Sequence, residues 1–263
     1  MKCTVMTFNL RYNNPGDGLN AWPNRIDRVA EMIHAHAPLV VGTQEGYYEM
    51  LNHLQPKLAE YTWIGEGRFG AHENEHCAIF YKKKELELQQ HGQFWLSETP
   101  EVTASISWNS SFPRVCTWAI FEHKGTGERF IVYNTHLDHQ SQQARDLGTK
   151  VIWEYITAHH KEHALPVILM GDFNSHPTDL PIRFLRGEID LEGEQSWLKD
   201  AYTQLPDPIG WTAHDFQGGE AGEPIDYIFV SPDVEVVLAL VDRREIGGGY
   251  PSDHYPVIAQ INL

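Results

Sequence analysis

From residue 62 to residue 137 the chain offers one strand pattern after another with no helix between them: Thr62 to Gly65, Cys77 to Lys82, Leu86 to Leu96, Val115 to Glu122 and Phe130 to Leu137. Helical periodicity frames that block. Pro23 opens a helix with Ile26, Val29, Ala30 and Ile33 at helical spacing. A second helical stretch carries Met50, Leu51, Leu54 and Leu58. A third runs from about Ser141 to His159, supported by Leu147, Val151, Ile152 and Tyr155. Further strands are expected at Val5 to Phe8, Leu39 to Val41, Val167 to Met170, Ile225 to Val230, Val234 to Val241 and Tyr255 to Ile261. Strands predominate without a strict βαβ alternation. That pattern favours stacked mixed sheets flanked by helices over a doubly wound parallel sheet.

No repeat, low-complexity tract or linker divides the chain, so residues 1–263 are expected to form a single domain. With 263 residues, 41% of them hydrophobic, it can bury a core without metal or disulfide staples. The formal charge of −16, from 20 Lys and Arg against 36 Asp and Glu, disfavours tight binding to long double-stranded DNA, which is held by basic side chains on phosphates. The one basic run, Lys82-Lys83-Lys84, sits at a strand end, where lysines protect sheet edges. Residues 1–8 do not resemble a signal peptide, and no apolar run approaches the roughly 18 residues of a membrane span. Cys3, Cys77 and Cys116 are isolated and odd in number, as free thiols are in a reducing compartment. A cytoplasmic protein with no evident protein partner is expected.

The strand ends carry the chemistry. Val167 to Met170 reads as a strand buried on both faces, yet Gly171, Asp172, Asn174 and His176 follow at once. Other strand-like segments also end in oxygen or imidazole groups: Asn9, Glu45, Asn134 with His136, Asp226, and Asp253 with His254. One such tip is explained by a turn or cap. Tips drawn from the whole length, if they share a rim, form a cluster of acids and amides that needs a cation. Asp172 and Asn174, two apart, are expected to point to one face. Oxygen donors without nearby cysteine suit Mg²⁺ or Mn²⁺. Asp–His neighbours supply proton transfer near neutral pH. Together they describe metal-assisted attack of water on phosphorus.

The ordered set TFNLR (7–11), TQE (43–45), YNTHLDH (133–139), GDFN (171–174), IDYIFV (225–230) and SDHYPV (252–257) resembles the endonuclease/exonuclease/phosphatase superfamily over nearly the whole chain. The resemblance implies a four-layer α/β sandwich, with two packed mixed sheets, flanking helices and a site at one edge. It implies a hydrolase of phosphoric esters. Glu45 would be the principal metal ligand with Asn9 and Asp253 nearby. Asp172, supported by Asn174, would orient or deprotonate the attacking water. His254, paired with Asp226, would contact the scissile phosphate and take part in proton transfer, and His136 would stabilise charge on the phosphoryl oxygens. Glu75 lies where some deoxyribonucleases carry an acid that pairs with this histidine.

Arg114, Asn134, His139 and Arg145 are candidates for holding the substrate, although an arginine here serves equally as a structural ion-pair partner. Trp95, Trp108 and Trp211 either line a pocket or belong to the core. Two motif matches fail on context. Gly65 to Gly70 has dinucleotide-loop spacing but leads into a strand, so a surface loop is expected. His159 to His163 has an inverted zinc-protease spacing at a helix end with no third ligand. The expected substrate is a small or soluble phosphodiester or phosphomonoester. A nuclease acting on short or single-stranded nucleic acid is the alternative, and a non-catalytic binding protein on the same scaffold is an alternative of another class. None of the six motifs is broken, which argues against the last.

Overall fold

The computed structural model describes residues 1–205 and 208–263. In chain order the elements are β1 (Lys2–Asn9), α1 (Trp22–His36), β2 (Val40–Tyr47), α2 (Tyr48–Leu54), β3 (Tyr61–Ile64), β4 (Glu75–Lys82), β5 (Leu86–Trp95), β6 (Val115–His123), β7 (Arg129–His136), α3 (Gln142–His163), β8 (Val167–Asp172), α4 (Leu180–Leu185), β9 (Lys199–Asp200), β10 (Asp226–Val230), β11 (Glu235–Val241) and β12 (Val257–Asn262). The strands form two six-stranded mixed sheets, ordered β11-β12-β1-β2-β4-β3 and β5-β6-β7-β8-β10-β9.

Alternation along each strand builds the layers. Val5, Val40 and Ile79 face the second sheet, while Met6, Phe8, Val41 and Phe80 face Val29 and Ile33 of α1 and Leu51 and Leu54 of α2. On the far side, Ile152, Trp153 and Ile156 of α3 and Ile182 and Phe184 of α4 cover the second sheet. The result is the four-layer α/β sandwich that the sequence led one to expect. β8 is central in its sheet, parallel to β7 and antiparallel to β10, which is why its apolar run is continuous.

Helix α1 carries Pro23 in its first turn and stops where Ala37 turns left-handed at φ 44°. Beyond it, Asp242 ties the end of β11 to α1. His36 Nε2 lies 2.6 Å from Asp242 Oδ2, and Arg244 Nε donates to both carboxylate oxygens at 2.9 Å. Burial alone would raise the Asp242 carboxyl, but His36 and Arg244 outweigh it and hold it well below the ordinary value of 3.8. A depressed carboxyl contributes stability above its unfolded pKa and loses it as pH falls through the folded one. Asp242→Asn is therefore expected to cost about 1–2 kcal/mol at pH 7, and the difference from wild type should shrink below about pH 4. Urea melts at pH 7 and pH 3 check this.

Candidate active site

Strand register brings the polar tips to one rim. Asn9 of β1 pairs with Gln44 of β2, Glu75 of β4 with Tyr47, His136 of β7 with Asp172 of β8, and Asp172 with Asp226 of β10. The strand expected at Leu39 to Val41 runs on to Tyr47, because a bulge absorbs Glu45 and lets pairing with β4 resume at Gly46. Glu45 takes φ 62°, and Arg11 (φ 56°) and Asn174 (φ 45°) are left-handed too. Non-glycine residues held this way at a cost of about 1–2 kcal/mol each concentrate where function fixes a geometry.

Asn9 spans the two sheets. Its Nδ2 donates to Glu45 Oε1 and to Asp172 Oδ2, both at 2.9 Å, and its Oδ1 accepts from the Arg11 N–H. Expected near the metal, Asn9 brackets the two acids with its NH₂, while its oxygen accepts one hydrogen bond and keeps a second lone pair. Tyr12 N–H donates to Glu45 Oε2 at 2.9 Å. Asp172 and Asn174 do come together, but not by strand pleat. β8 ends at Asp172, and the turn is closed by Asn174 N–H donating to Asp172 Oδ1 at 2.9 Å, while Asn174 Nδ2 donates to the Leu137 carbonyl.

His254 Nδ1 lies 2.9 Å from Asp226 Oδ2 and 3.9 Å from Asp172 Oδ2. His136 Nε2 is 3.5 Å from Asp172 Oδ2, and its Nδ1 is 4.0 Å from Glu75 Oε2. Glu75 therefore sits beside this histidine, but its close partner is Arg68, whose Nη1 and Nη2 each lie 3.0 Å from one carboxylate oxygen. Arg68 was not singled out from sequence. The Gly65 to Gly70 stretch is indeed a loop, and it turns this one buried arginine inward, with the guanidinium 4.2 Å from the centre of the Phe112 ring. Nothing in its local pattern distinguishes it from a solvated loop cation.

Other candidates are placed differently. Asp253 accepts from Ser252 Oγ at 3.2 Å and faces Arg11 Nη1 at 3.5 Å, and it belongs to neither of the ligand groupings described below. Arg114 Nη2 is 2.8 Å from His139 Nδ1, and both line the same cavity as the acids. Arg145 opens onto a neighbouring cavity with Trp211, held by the Asp138 carbonyl and Gln142. Asn134 does not reach substrate space. It is fully buried between the sheets, donating to the Thr43 and Ala78 carbonyls at 2.9 Å and accepting from Gln44 Nε2 at 2.6 Å. Trp95 is buried and donates to the Arg68 carbonyl, and Trp108 packs on the core. The His159 to His163 run ends α3, which extends to His163, with His159 Nδ1 2.7 Å from the Tyr133 hydroxyl.

The cavity measures about 520 Å³ and is lined by Glu45, Asp172 and His254 together with Arg68, Arg114 and His136. Burial, then the neighbouring Asp226, pushes the Asp172 carboxyl up, against the pull of His254. Burial likewise raises Glu75 and Asp253. For His254, burial works downward, but Asp226, Asp172 and Asp253 overcome it and hold the imidazole well above its ordinary pKa. Burial and then Arg114 and Arg68 drive His136 well below it, so that ring is neutral.

These acids fit a divalent cation. Glu45, His136 and Asp172 each offer a ligand atom within 4.8 Å of the others, as do Asp172, Asp226 and His254. Buried carboxylates raised by burial and by one another are what a cation would relieve, and Asp226 Oδ1 is buried with no hydrogen-bond partner. The donors are carboxylate oxygens and imidazole without thiolate, which suits a hard ion. Among the described residues, no helix is long and apolar enough to cross a membrane.

Comparison with known proteins agrees with this arrangement. A family model described as the endonuclease/exonuclease/phosphatase family matches residues 6–254. Among solved structures, a mannosyl-6-phosphatase from Bacteroides thetaiotaomicron is 32% identical with a TM-score of 0.90, over 99% of this chain and 100% of that one. A family member from Bacteroides vulgatus is 34% identical at TM-score 0.89, over 100% and 99%. Human nocturnin is 24% identical over 268 residues, 92% of this chain and 58% of that protein. Across the curated relatives it matches, the chain spans from 32% to 65% of their length.

Proposed function

The chain belongs to the endonuclease/exonuclease/phosphatase family, and from that premise we propose a divalent-metal-dependent phosphomonoesterase acting on a small, soluble substrate, with phosphorylated sugars the class to try first. The observation that carries this reading is the cavity of about 520 Å³, which Glu45, Asp172 and His254 line together with Arg68 and Arg114. Its volume lies in the range of small-ligand pockets, about 300–1,000 Å³. A nucleic-acid strand would ask for an extended basic track, and the chain is strongly acidic. The mannosyl-6-phosphatase, with its close structural likeness, supports a sugar phosphate over a nucleotide polymer.

In this reading residues 1–263 act as one unit. Glu45 and Asp172 would hold Mg²⁺ or Mn²⁺, and a bound divalent ion supplies Lewis-acid polarisation of a phosphoryl oxygen. Asp172, fixed by Asn9 and Asn174, orients water toward phosphorus, and its raised pKa suits it to accept a proton. His254, kept protonated by Asp226, hydrogen-bonds the phosphoryl group and returns a proton to the leaving oxygen. Neutral His136 donates to a second phosphoryl oxygen, and Arg114 with His139 grips the oxygens that only a monoester leaves free.

The test is a panel of mannose 6-phosphate, p-nitrophenyl phosphate, bis-p-nitrophenyl phosphate and a short oligothymidylate, with Mg²⁺, Mn²⁺ or EDTA. Metal-dependent turnover of the monoesters above the diester is expected. Degradation of the oligonucleotide with the monoesters untouched would transfer the case to a nuclease. Arg114→Ala is expected to raise KM for the monoester about tenfold with a smaller change in kcat, the worth of one charge-assisted hydrogen bond. An unchanged KM in steady-state kinetics would remove Arg114 from the substrate.

A further inference from the structure

A second cavity of about 550 Å³ lies where the edge strands of the two sheets, β3 and β5, come together. It shares no residue with the cavity just described, although the loop between β3 and β4 borders both. Arg68 and Asn74 of that loop face the first cavity, whereas Glu66 and His72 face the second. The phosphoester chemistry makes no use of it.

Its walls are an ordered aromatic cluster. Tyr48, the first residue of α2, stacks on His72 with ring centres 3.9 Å apart and planes at 19°. Trp63 of β3 meets Tyr48 edge-on at 6.1 Å and is fixed from behind by His76 and Phe80. Tyr48 remains 36% exposed, so this cluster is not simply core. Beside it stand Asn52 and Gln93. The Gln93 oxygen is already satisfied, accepting from Glu66 N–H at 3.1 Å and the Thr117 hydroxyl at 3.0 Å. Its amide nitrogen is buried without a partner, a donor left over beside a cavity.

We propose that this cavity binds a neutral sugar ring. Rigid aromatic faces with a polar handle cover the apolar side of such a ring, and a few amides and a carboxylate read its hydroxyls. None of the described lining residues is lysine or arginine, while Glu66 adds an acid, so the site offers no permanent cation to phosphate or nucleic acid. The inference does not depend on the phosphoesterase reading, because no residue is shared between the two cavities.

The test uses methyl α-mannoside, α-1,2-mannobiose and inorganic phosphate as probes in saturation-transfer NMR with the full chain. The sugars should give transfer signals at concentrations up to about 10 mM, the weak end of single-ring recognition. Tyr48→Ala, a helix-surface change compatible with folding, should abolish the signals while leaving p-nitrophenyl phosphate turnover at the wild-type rate. Tyr48→Phe keeps the stack and should retain them. Asp172→Asn should retain them as well, which separates this site from the reaction centre. Absence of signal from both sugars, signals unchanged in Tyr48→Ala, or displacement of the sugars by inorganic phosphate would each overturn the proposal.

Discussion

Asp172→Asn is expected to lower kcat/KM for phosphoester hydrolysis by about 10³-fold while the protein stays folded. The substitution keeps the volume of a fully packed side chain and still offers an oxygen to the Asn174 N–H. It removes the group that sits at once 2.9 Å from Asn9 Nδ2, 3.5 Å from His136 and 3.9 Å from His254. No other carboxylate at the rim has all three neighbours. The same change relieves a buried charge that its surroundings already push toward protonation. In EDTA the relieved charge offsets the hydrogen bond from Asn9 that the new amide nitrogen cannot accept, so the variant should melt within about 4 °C of wild type. With saturating Mg²⁺ wild type should melt clearly above the variant, because wild type gains binding free energy that the variant forgoes. Thermal melts beside initial rates distinguish the outcomes. Activity within tenfold of wild type would take Asp172 out of the chemistry, and collapse of the variant in EDTA would make its role structural.

Gly171→Ala should cost about 3 kcal/mol or more. Gly171 stands on β8 opposite Thr135 of the parallel strand β7. A Cβ built there would meet the Thr135 carbonyl oxygen at 2.1 Å, and that oxygen belongs to backbone, not to a side chain able to swing aside. β7 is itself paired with β6 through Thr135 and Cys116, so relief requires the two central strands to part. The residues after the clash are His136 and Asp172, whose 3.5 Å spacing depends on that strand pair. Folded Gly171→Ala protein should thus show reduced kcat even under conditions where it is fully native. Urea unfolding followed by tryptophan fluorescence measures the first effect, and a midpoint equal to wild type would refute the packing argument.

Gly171 also explains how much could be read before the structure was known. The run Val167 to Met170 announces a buried strand, and the acid, amide and imidazole after the glycine announce a polar tip. That reasoning, repeated at Glu45, His136, Asp226 and His254, locates the rim, because strand ends are set by local pattern. What local pattern does not carry is orientation. Asn9 and Asn134 look alike as amides at strand ends. One has Nδ2 on two acids at the rim, and the other lies between sheets on the carbonyls of Thr43 and Ala78. Only the facing of the two sheets decides which is which.

Arg25 shows the same limit. On sequence it is one more polar residue of α1, yet it is fully buried and donates to the Leu10, Arg11 and Pro251 carbonyls. It fastens the segment after β1 to the segment that carries Asp253 and His254, a pairing of residues more than two hundred apart. Glu45 is the opposite case. Its identity was evident from TQE, but the bulge that gives it φ 62° and turns it to the site follows from pairing with β4.

The central claim is that water attacks phosphorus at the Asp172 rim with a divalent cation in place. Hydrolysis of p-nitrophenyl phosphate or mannose 6-phosphate in ¹⁸O-labelled water, analysed by mass spectrometry of both products, tests it most directly. One labelled oxygen in inorganic phosphate is predicted, with turnover lost in EDTA, restored by Mg²⁺ or Mn²⁺, and missing in Asp172→Asn. Label in the alcohol product, turnover that persists in EDTA, or no release of phosphate from either substrate would contradict it.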